Sequence, residues 1–568
     1  MKKITVSTLA SALLCSSALS GAPLPQQVID QASQILIEQS IQQETQLKKD
    51  LKESTKKSTI EIVPTLPKIS TTSSAMKFIK EIQISGSSLL PQTVLNPILM
   101  KYSNKELGIQ EIQLLMGELT MAYIDLGYST TRIYIPIQDL SSQILKLNVV
   151  EGVIENINVN DNAEGKSISI VNIFPNMIGK ALNIYDIEQG LDQINRLSSN
   201  NAKMEIIPSS KDGQSVIVVK NEVSKPWAFS MDTDNTGSQS TGRWQHGINL
   251  SYDNLLGYND FVSLSAKSTL LSYDDKSSTL GSFTYSVPFG YTTASINLSR
   301  SQFDNIITSD SGDINIDGTT KNISVILDHV IVRGKGFKVT ATTSLNKKNT
   351  EFNILDEPVS VLSPKLAVWD MGIKGFFIAG DAMTCNWSLT HSKGLALFGA
   401  QKDAGDIESD EAHAQFSKIQ YDFGLSKRVP IENGTSVSFS SQFSGMRTNS
   451  PLYSSEQFMA TGRTGVRGFY ETALTGNKGY NVRNDIKWDI PSEIAGNSLM
   501  TSLYYSYDFG KTLTFQSTEG SSVGGNALGI NLNYKNISTS LEYSKQLWKP
   551  ATMQNESGIT TFRLSVQF

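Results

Sequence analysis

The sequence predicts a transmembrane β-barrel of about 16 antiparallel strands, preceded by two small α/β modules and by an N-terminal helix with a linker. Two observations predict the barrel: from Trp227 onward, apolar and polar residues alternate in segment after segment, and long and short connections alternate between these segments. A third observation predicts the modules, because residues 78–222 repeat one pattern of strands and helices twice. At 568 residues the chain is too long for one compact soluble core, whereas a large barrel accounts for this length.

The composition suits many strands and turns. Charged residues are few, and the chain contains 41 Gly, 22 Phe, 19 Tyr and 6 Trp. The formal net charge is −5 and no block of basic residues occurs, so nothing indicates nucleic-acid binding. Of the two cysteines, Cys15 lies in a predicted signal peptide and Cys385 remains alone, so the mature chain is expected to have no internal disulfide.

Residues 1–22 have the pattern of a Sec signal peptide, which is removed from the mature protein. Two lysines precede an apolar stretch, and small residues follow it with cleavage expected after Ser20 or Ala22. A signal anchor is the alternative. Beyond this segment no run of about 18 apolar residues occurs, so no transmembrane helix is predicted. Barrel strands remain possible, because they need only about ten residues of alternating polarity.

An N-terminal helix is predicted over residues 23–52, which are rich in Gln, Ile and Leu. Residues 53–77 are rich in Lys, Ser, Thr and Pro, the composition of an extended linker. A helix tethered by such a linker can occupy a site and leave it. The apolar residues on one face of the helix are Val28, Ala32, Ile35 and Leu36.

Residues 78–152 show the order strand, helix, helix, strand, strand. The two helical stretches lie around Leu90–Tyr102 and Gly108–Leu126. Residues 153–222 repeat the pattern with a strand, a helix in NIYDIEQGLDQINRLSS and two further strands. Two modules of the same kind therefore precede the barrel.

The barrel segment, residues 227–568, holds about 16 strands at roughly 21 residues for each strand and its connection. The number must be even if the modules and the end of the last strand lie on one side of the membrane. Counting back from the C-terminus, the connections alternate between long and short, and they lie at 547–558, 535–536, 511–523, 491–497 and, the longest, 445–479.

The longest connection contains TGRTGVRGFYE, Thr461 to Glu471. This cluster resembles the sixth-loop motif, VRGY/F, of the outer-membrane transporters that carry POTRA domains. The string LGYSTTRIYIPIQDLSSQILKLNVVEG resembles the end of a first POTRA domain, and DIEQGLDQINRL resembles a second one. The glycine common before the last strand of the first domain is replaced by Ser142 and Gln143, which predicts a looser turn. The chain thus resembles the two-partner secretion transporters of the haemolysin activation/secretion and filamentous-haemagglutinin type.

This resemblance implies that the sixth loop folds back into the pore and that its arginine pairs with an aspartate on the barrel wall. The matching aspartate is Asp508, in an Asp-x-Gly motif where Ser506 replaces the usual aromatic residue. Strand alternation also places Asp508 on the lumen side. An extracellular loop with a solvated arginine is the alternative, and Arg463 is a competing candidate. The predicted lock and motif residues are Gly465, Val466, Arg467, Gly468, Phe469 and Asp508.

The chain ends on an aromatic residue in step with the preceding apolar positions, Phe562, Val566 and Phe568. This spacing resembles the C-terminal signal that the outer-membrane assembly machinery reads. The resemblance therefore implies two further partners, the assembly machinery and outer-membrane lipid.

The function implied by the resemblance is that of a pore in the Gram-negative outer membrane with its POTRA domains in the periplasm. Such a pore recognises a large unfolded exoprotein, such as a haemolysin, an adhesin or a contact-dependent toxin, and translocates it to the cell surface without ATP. The N-terminal helix would plug the pore at rest, or would be a periplasmic tail. The alternative function is an assembly or insertion factor of the same superfamily, but those proteins commonly carry more POTRA domains and lack the helix. A passive porin needs no POTRA domain.

No enzymatic chemistry, metal or cofactor is predicted. The chain has no G-x-S-x-G elbow. Its four histidines have no metal-ligand spacing, and each is predicted to lie in a separate strand: His246, His329, His391 and His413.

Overall fold

The computed structural model describes residues 26–51, 76–161, 167–238, 240–269, 276–309, 312–380, 383–515 and 519–568. The predicted signal peptide and positions 53–75 of the predicted linker lie outside these ranges. Helix α1 (Gln26–Asp50) is followed by two α/β modules and a closed β-barrel. In the ranges described, none of the helices combines the length and the apolar character that crossing a membrane requires.

The first module packs two helices on a three-stranded sheet. Strand β2 runs parallel to the central strand β5, and β4 pairs with β5 antiparallel, while β1 and β3 form a separate pair. Leu115 and Leu119 lie one turn apart on α3 and pack against Leu145 and Leu147, which share one face of β5. The elements are β1 (Lys77–Ile79), β2 (Glu81–Ser85), α2 (Gln92–Tyr102), β3 (Lys105–Leu107), α3 (Ile109–Asp125), β4 (Arg132–Tyr134) and β5 (Ile144–Val150).

The turn before β5 is closed by local hydrogen bonds. Gln143 adopts a left-handed conformation with φ of +59° and donates its backbone N–H to Leu140 O at 3.0 Å. The Asp139 carboxylate accepts the backbone N–H of Ser141 at 2.9 Å. The expectation of a looser turn at Ser142 and Gln143 is therefore wrong. The Asp139 side chain caps the turn, and Gln143 adopts the left-handed conformation that a glycine usually provides.

The second module has the same sheet order, β6–β8–β7, with β6 parallel to β8. Its first helix is reduced to a single turn. Ile187, Leu191 and Ile194 of α5 are buried against Ile217 and Val219 of β8. The elements are β6 (Val153–Asp161), α4 (Ile170–Ile173), α5 (Ile184–Asn195), β7 (Asn200–Pro208) and β8 (Gln214–Val223).

Helix α5 also fastens the second module to one rim of the barrel. Arg333 Nη1 donates to Asp192 Oδ2 at 2.6 Å, and Gln193 Nε2 donates to Gly290 O at 3.2 Å. The Tyr291 hydroxyl donates to the Asp186 carboxylate. We call this rim the module side of the barrel.

The barrel is a closed sheet of 16 antiparallel strands, in which β24 pairs with β9. This matches the predicted fold class. The strands are β9 (Trp227–Asp234), β10 (Gln245–Asp253), β11 (Phe261–Ser268), β12 (Ser277–Phe289), β13 (Thr292–Ser309), β14 (Gly312–Gly334), β15 (Phe337–Ile354), β16 (Lys365–Ala379), β17 (Met383–Leu395), β18 (Ser417–Pro430), β19 (Ser436–Thr448), β20 (Lys478–Ile494), β21 (Asn497–Leu513), β22 (Ser521–Tyr534), β23 (Ile537–Trp548) and β24 (Ile559–Gln567).

The strands present apolar residues outward and polar residues inward. On β21, Tyr505 is 46% exposed, whereas the neighbouring Ser506 and Asp508 are completely buried. Ile486 and Trp488 of β20 are likewise exposed on the outside. A barrel that exposes aromatic and aliphatic residues while it buries carboxylates is suited to hydrocarbon rather than to water.

Connections on the module side are short, such as 335–336, 495–496 and 535–536, while those on the opposite side include 355–364 and 396–416. The sixth connection on that opposite side joins β19 to β20 and is the longest in the described part of the chain. We call residues 449–477 loop six.

Candidate functional site

Loop six does not project away from the barrel but folds back into it. A two-residue strand, Phe458–Met459, pairs with Thr475–Gly476, and the segment between them forms a compact tip. Ala460 accepts the backbone N–H of Val466 at 2.7 Å and donates its own N–H to Leu474 at 2.8 Å. Val466 and Phe469 are at most 1% exposed. Such burial is unusual for a loop and shows that the barrel interior encloses the tip.

The Arg467 side chain reaches Asp508 on strand β21. Arg467 Nε donates to Asp508 Oδ2 at 2.6 Å and Nη2 donates to Oδ1 at 2.8 Å, the bidentate geometry of the strongest arginine–carboxylate pairs. The backbone N–H of Arg467 also donates to Asp508 Oδ2, at 3.2 Å. Asp508 is completely buried. One carboxylate therefore binds both the side chain and the main chain of the loop tip.

Two further carboxylates surround the same guanidinium. Arg467 Nη2 donates to Asp485 Oδ1 of β20 at 2.7 Å, and Nη1 lies 3.6 Å from Glu542 Oε2 of β23. Burial lowers the pKa of Arg467, but the carboxylates outweigh burial and raise that pKa above its ordinary value, so the side chain stays charged. The site therefore places Arg467 among three acids, and Arg483 of β20, directly opposite Asp508, interacts electrostatically with the same three carboxylates.

Ser506 takes a part in this cluster that the sequence did not indicate. It donates a hydrogen bond to Asp485 Oδ1 at 2.5 Å. Tyr504, two residues earlier on the same strand, donates to Glu542 Oε2 at 2.8 Å. Where the resembled motif has an aromatic residue, this chain has a hydroxyl that orients the second carboxylate.

Glycines allow the loop tip to lie directly on the wall. Gly468 has φ of +90°, and a Cβ there would lie 2.5 Å from the carbonyl carbon of Lys545. A Cβ on Gly465 would lie 2.3 Å from Ala460 O. Gly525 of β22 was not predicted, yet a Cβ there would lie 1.9 Å from Arg467 O. The backbone of the loop tip therefore touches the backbone of the barrel wall, and this contact needs a glycine on the loop, Gly468, and a glycine on the wall, Gly525.

We expect Gly525→Ala to displace the loop tip from the wall, because the added methyl group meets a backbone carbonyl that cannot rotate away. The thermal midpoint of the purified barrel should fall by several degrees and secretion activity should drop. Gly281→Ala is the matched control, since a Cβ there meets nothing within 4 Å. Equal midpoints for the two variants would show that the tip does not rest on Gly525.

An apolar cluster supports the ion pair. Val466 and Phe469 pack with Ala460 of the tip and with Val523 of β22. Each motif residue thus has a different role. Arg467 pairs with the wall carboxylates, and the glycines let the loop backbone touch the wall. Val466 and Phe469 exclude water from the apolar side of the ion pair. Arg463 does not contact Asp508; its carbonyl oxygen accepts a hydrogen bond from Arg483 at 3.0 Å.

Helix α1 lies in the barrel lumen beside loop six. Gln43 Nε2 donates to Ser301 Oγ at 3.0 Å and to Thr320 O at 3.3 Å, and Thr284 donates to Asp50 Oδ2 at 2.9 Å. The apolar face of the helix packs on the wall far from the modules; the side chain of Val28 lies outside the described set. The cluster consists of Ala32, Ile35, Leu36, Phe303, Ile314, Ile316, Phe352, Ile354 and Leu362.

Helix and loop contact each other directly. Ser40 Oγ donates to Ser455 O at 3.0 Å, and Gln34 Nε2 donates to Glu471 O at 3.2 Å. A cavity of about 420 Å³ remains between them and the wall. A second cavity of about 450 Å³ separates the end of α1 from α5 of the second module. The lumen is therefore largely filled by two elements that are not strands.

The three predicted C-terminal signal residues lie on the outer side of β24. The Phe562 ring centroid is 6.4 Å from that of Trp244, and the Phe568 ring centroid is 5.7 Å from that of Phe229. Val566 pairs in register with Met231. The Phe568 and Val566 contacts lie across the closing seam between the first and last strands, and the Phe562 contact is with the connection that follows β9.

The histidines are dispersed, and one prediction about them is wrong. His246, His329 and His391 lie in strands, but His413 lies in the connection 396–416, with its Nδ1 3.4 Å from Asp403 Oδ2. In the part of the chain that the structure describes, no group of three or more His, Cys, Asp or Glu side chains could hold a metal ion.

Comparison with known families agrees with this architecture. Residues 213–532 match the family described as haemolysin secretion/activation protein ShlB/FhaC/HecB. Residues 78–152 match a POTRA domain of the ShlB type, and residues 153–208 match another POTRA domain.

Curated relatives are similar along most of their length. The outer membrane transporter CdiB of Dickeya dadantii is 29% identical over 497 residues, which cover 86% of this chain and 86% of the relative. The hemolysin transporter protein ShlB of Serratia marcescens is 28% identical over 552 residues, covering 96% of each. The solved structure of CdiB from Escherichia coli has the same fold, with a TM-score of 0.81 at 24% identity, covering 96% of this chain and 98% of that one.

Proposed function

Because the chain belongs to the haemolysin secretion/activation family ShlB/FhaC/HecB, we propose that it is an outer-membrane pore that exports a large unfolded exoprotein from the periplasm to the cell surface. The observation that carries this proposal is the content of the lumen. A barrel of 16 strands is wide enough for a water-filled channel. Here that channel is occupied by α1 and loop six, which are fastened to the wall by side-chain contacts rather than by ladders of backbone hydrogen bonds. Elements fastened in this way can leave without unfolding the barrel.

The POTRA domains supply the entrance. Their three-stranded sheets end at β2 and β4 in the first domain and at β6 and β7 in the second. An unfolded polypeptide can add to a sheet edge through main-chain hydrogen bonds, which depend little on its side chains. The hydrogen bonds and ion pairs of α5 keep the second domain beside the lumen. A segment of exoprotein bound to this domain would therefore lie at the entrance of the pore.

Export in this proposal needs neither ATP nor a catalytic residue. The driving force is the folding of the exoprotein outside the cell, which prevents its return. The relatives are named as transporters of haemolysin or as CdiB, so the partner class we propose is a haemolysin, an adhesin or a contact-dependent toxin. An assembly factor is the rival function, but two POTRA domains and a helix in the lumen favour export.

We propose two further partners for the outer surface of the barrel, outer-membrane lipid and the outer-membrane assembly machinery. Outer-membrane lipid would contact the exposed apolar residues of the strands. The assembly machinery would read Phe562, Val566 and Phe568 while the barrel is built. The contacts of Phe568 with Phe229 and of Val566 with Met231 offer a reason for this position, because the last strand must pair with the first to close the barrel.

Removing residues 78–152 should abolish secretion of the partner exoprotein, because the first POTRA domain supplies two of the sheet edges that capture it. The barrel should still form, and heat-modifiable migration on gels checks this. The measurement is the amount of exoprotein in the culture medium against the amount retained in the periplasm. Normal secretion by the shortened chain would exclude the first domain from recognition.

A further inference from the structure

Loop six is held at a second place, outside the VRGF motif. Glu456 ends a short 3₁₀ turn, Ser454–Glu456, and is only 3% exposed. Its Oε1 lies 2.7 Å from Lys348 Nζ, and its Oε2 lies 2.7 Å from Lys418 Nζ. Lys418 Nζ also donates to the backbone carbonyl of Glu456 at 3.2 Å. A single buried carboxylate is thus shared by two ammonium groups, of which that of Lys418 is buried and that of Lys348 is partly buried.

This cluster has the reverse polarity of the Arg467 cluster and a different place on the wall. Lys348 belongs to β15 and Lys418 to β18, with β16 and β17 between them. The carboxylates around Arg467 lie on β20, β21 and β23. Loop six therefore bridges two arcs of the barrel, with an acid bound to basic wall residues at one end and a base bound to acidic wall residues at the other.

The Glu456 end is also where helix α1 rests. Ser40 of the helix donates its hydroxyl proton to the carbonyl of Ser455, the residue beside Glu456, at 3.0 Å. Burial raises the pKa of the Glu456 carboxylate, but the two lysines outweigh burial and lower that pKa below its ordinary value. The turn that supports the helix is therefore fixed by ionised groups.

We propose that Glu456, clamped between Lys348 and Lys418, is a positioning residue that holds the helix-bearing turn of loop six and thereby keeps α1 in the lumen. This inference rests on the proposed role of α1 as a plug. Loss of the carboxylate would leave Lys348 and Lys418 without the acid that both bind directly, and a buried charge that loses its partner is strongly destabilising. The turn would move out of the clamp and α1 would lose its support.

The test is single-channel recording of the purified full-length chain in planar lipid bilayers. Glu456→Gln should raise the time spent in the open state by about tenfold, and Lys348→Gln with Lys418→Gln should do the same from the wall side. Lys374→Gln is the matched control. Lys374 also pairs with an acid on the wall, Asp328 at 3.1 Å, but this pair does not involve loop six. A variant lacking residues 24–52 defines the fully open level.

Exchanging the charges of Glu456 and Lys348 distinguishes loss of the ion pair from a general loss of packing. Glu456→Lys with Lys348→Glu keeps two lysines and one glutamate in the cluster, and it should restore closure relative to Glu456→Lys alone. Barrel formation is checked by heat-modifiable migration, and the wall variants decide the matter if a Glu456 variant does not fold.

The outcomes are distinguishable. Wild-type closure in Glu456→Gln and in the double lysine variant, together with an open helix-deleted chain, would overturn the clamp while leaving the plug intact. A wild-type chain as conductive as the helix-deleted chain would overturn the plug itself.

Discussion

Deleting residues 24–52 should convert a mostly closed pore into one that conducts continuously. Helix α1 has 25 residues, so it is about 38 Å long and can span the barrel. Its contacts with the wall are a few side-chain hydrogen bonds and one apolar cluster, none of which holds the barrel strands together. The measurement is single-channel conductance in planar bilayers, with heat-modifiable migration as the test that the barrel is intact.

A point substitution should reproduce part of this effect. Leu36 is 4% exposed and packs with the aromatic pair Phe303 and Phe352, so Leu36→Asp places a charge in that cluster and should favour departure of the helix. Lys48→Gln is the control on the same helix, because the Lys48 side chain is 72% exposed and its ion pair is with Glu44, one turn earlier on the same helix. Unchanged conductance in both the deletion and Leu36→Asp would refute the plug.

Arg467→Ala should impair secretion and lower thermal stability more than Asp508→Ala does. Without the Arg467 guanidinium, Asp508 and Asp485 lose the cation that they bind directly, and only the more distant Arg483 offsets the repulsion among these two acids and Glu542. Without Asp508, the guanidinium still keeps Asp485 at 2.7 Å. Breaking a buried pair by removing one partner costs about 3–5 kcal/mol, and we expect Arg467→Ala at the upper end of this range.

The double-mutant cycle on thermal stability measures the coupling. Removing both residues should cost less than the sum of the two single changes, because the second loss no longer leaves a charge unpaired. The swap Arg467→Asp with Asp508→Arg should restore secretion only in part, since arginine's forked geometry is lost when the residue is moved. Arg463→Ala, in the same loop but without contact to Asp508, is the control. Additive effects would mean that Arg467 and Asp508 do not interact.

The parts of the fold that follow from local periodicity were predictable. A strand repeats every two residues, so Tyr505, Ser506 and Asp508 could be assigned to the outer and inner faces before the structure was known. The strand number and the alternation of connection lengths followed from the same pattern, since a closed barrel admits few alternatives. The fold-back of loop six and the pairing of Arg467 were predicted from the resemblance of a short motif to that of the transporters that carry POTRA domains.

The contacts that join distant parts of the chain were not predictable. Glu456 is 108 residues from Lys348 and 38 from Lys418, and nothing local to any of them indicates the pairing. The sequence does not distinguish Gly525 from the other glycines of the barrel, because its role depends on the Arg467 carbonyl that packs against it in the fold. The polar composition of α1 suggested a hydrated lumen. In the structure, an apolar face of α1 packs against residues of β13, β14 and β15.

The most direct test of export is reconstitution of the purified chain in lipid vesicles with its POTRA domains outward. The substrate is an unfolded N-terminal fragment of a large exported protein encoded by a neighbouring open reading frame, added without ATP. Export predicts that the fragment becomes resistant to external protease in wild-type vesicles and remains sensitive in vesicles carrying the chain without residues 78–152. A fragment that stays sensitive in both, while unfolded barrel proteins insert into the wild-type vesicles, would contradict export and favour an assembly factor.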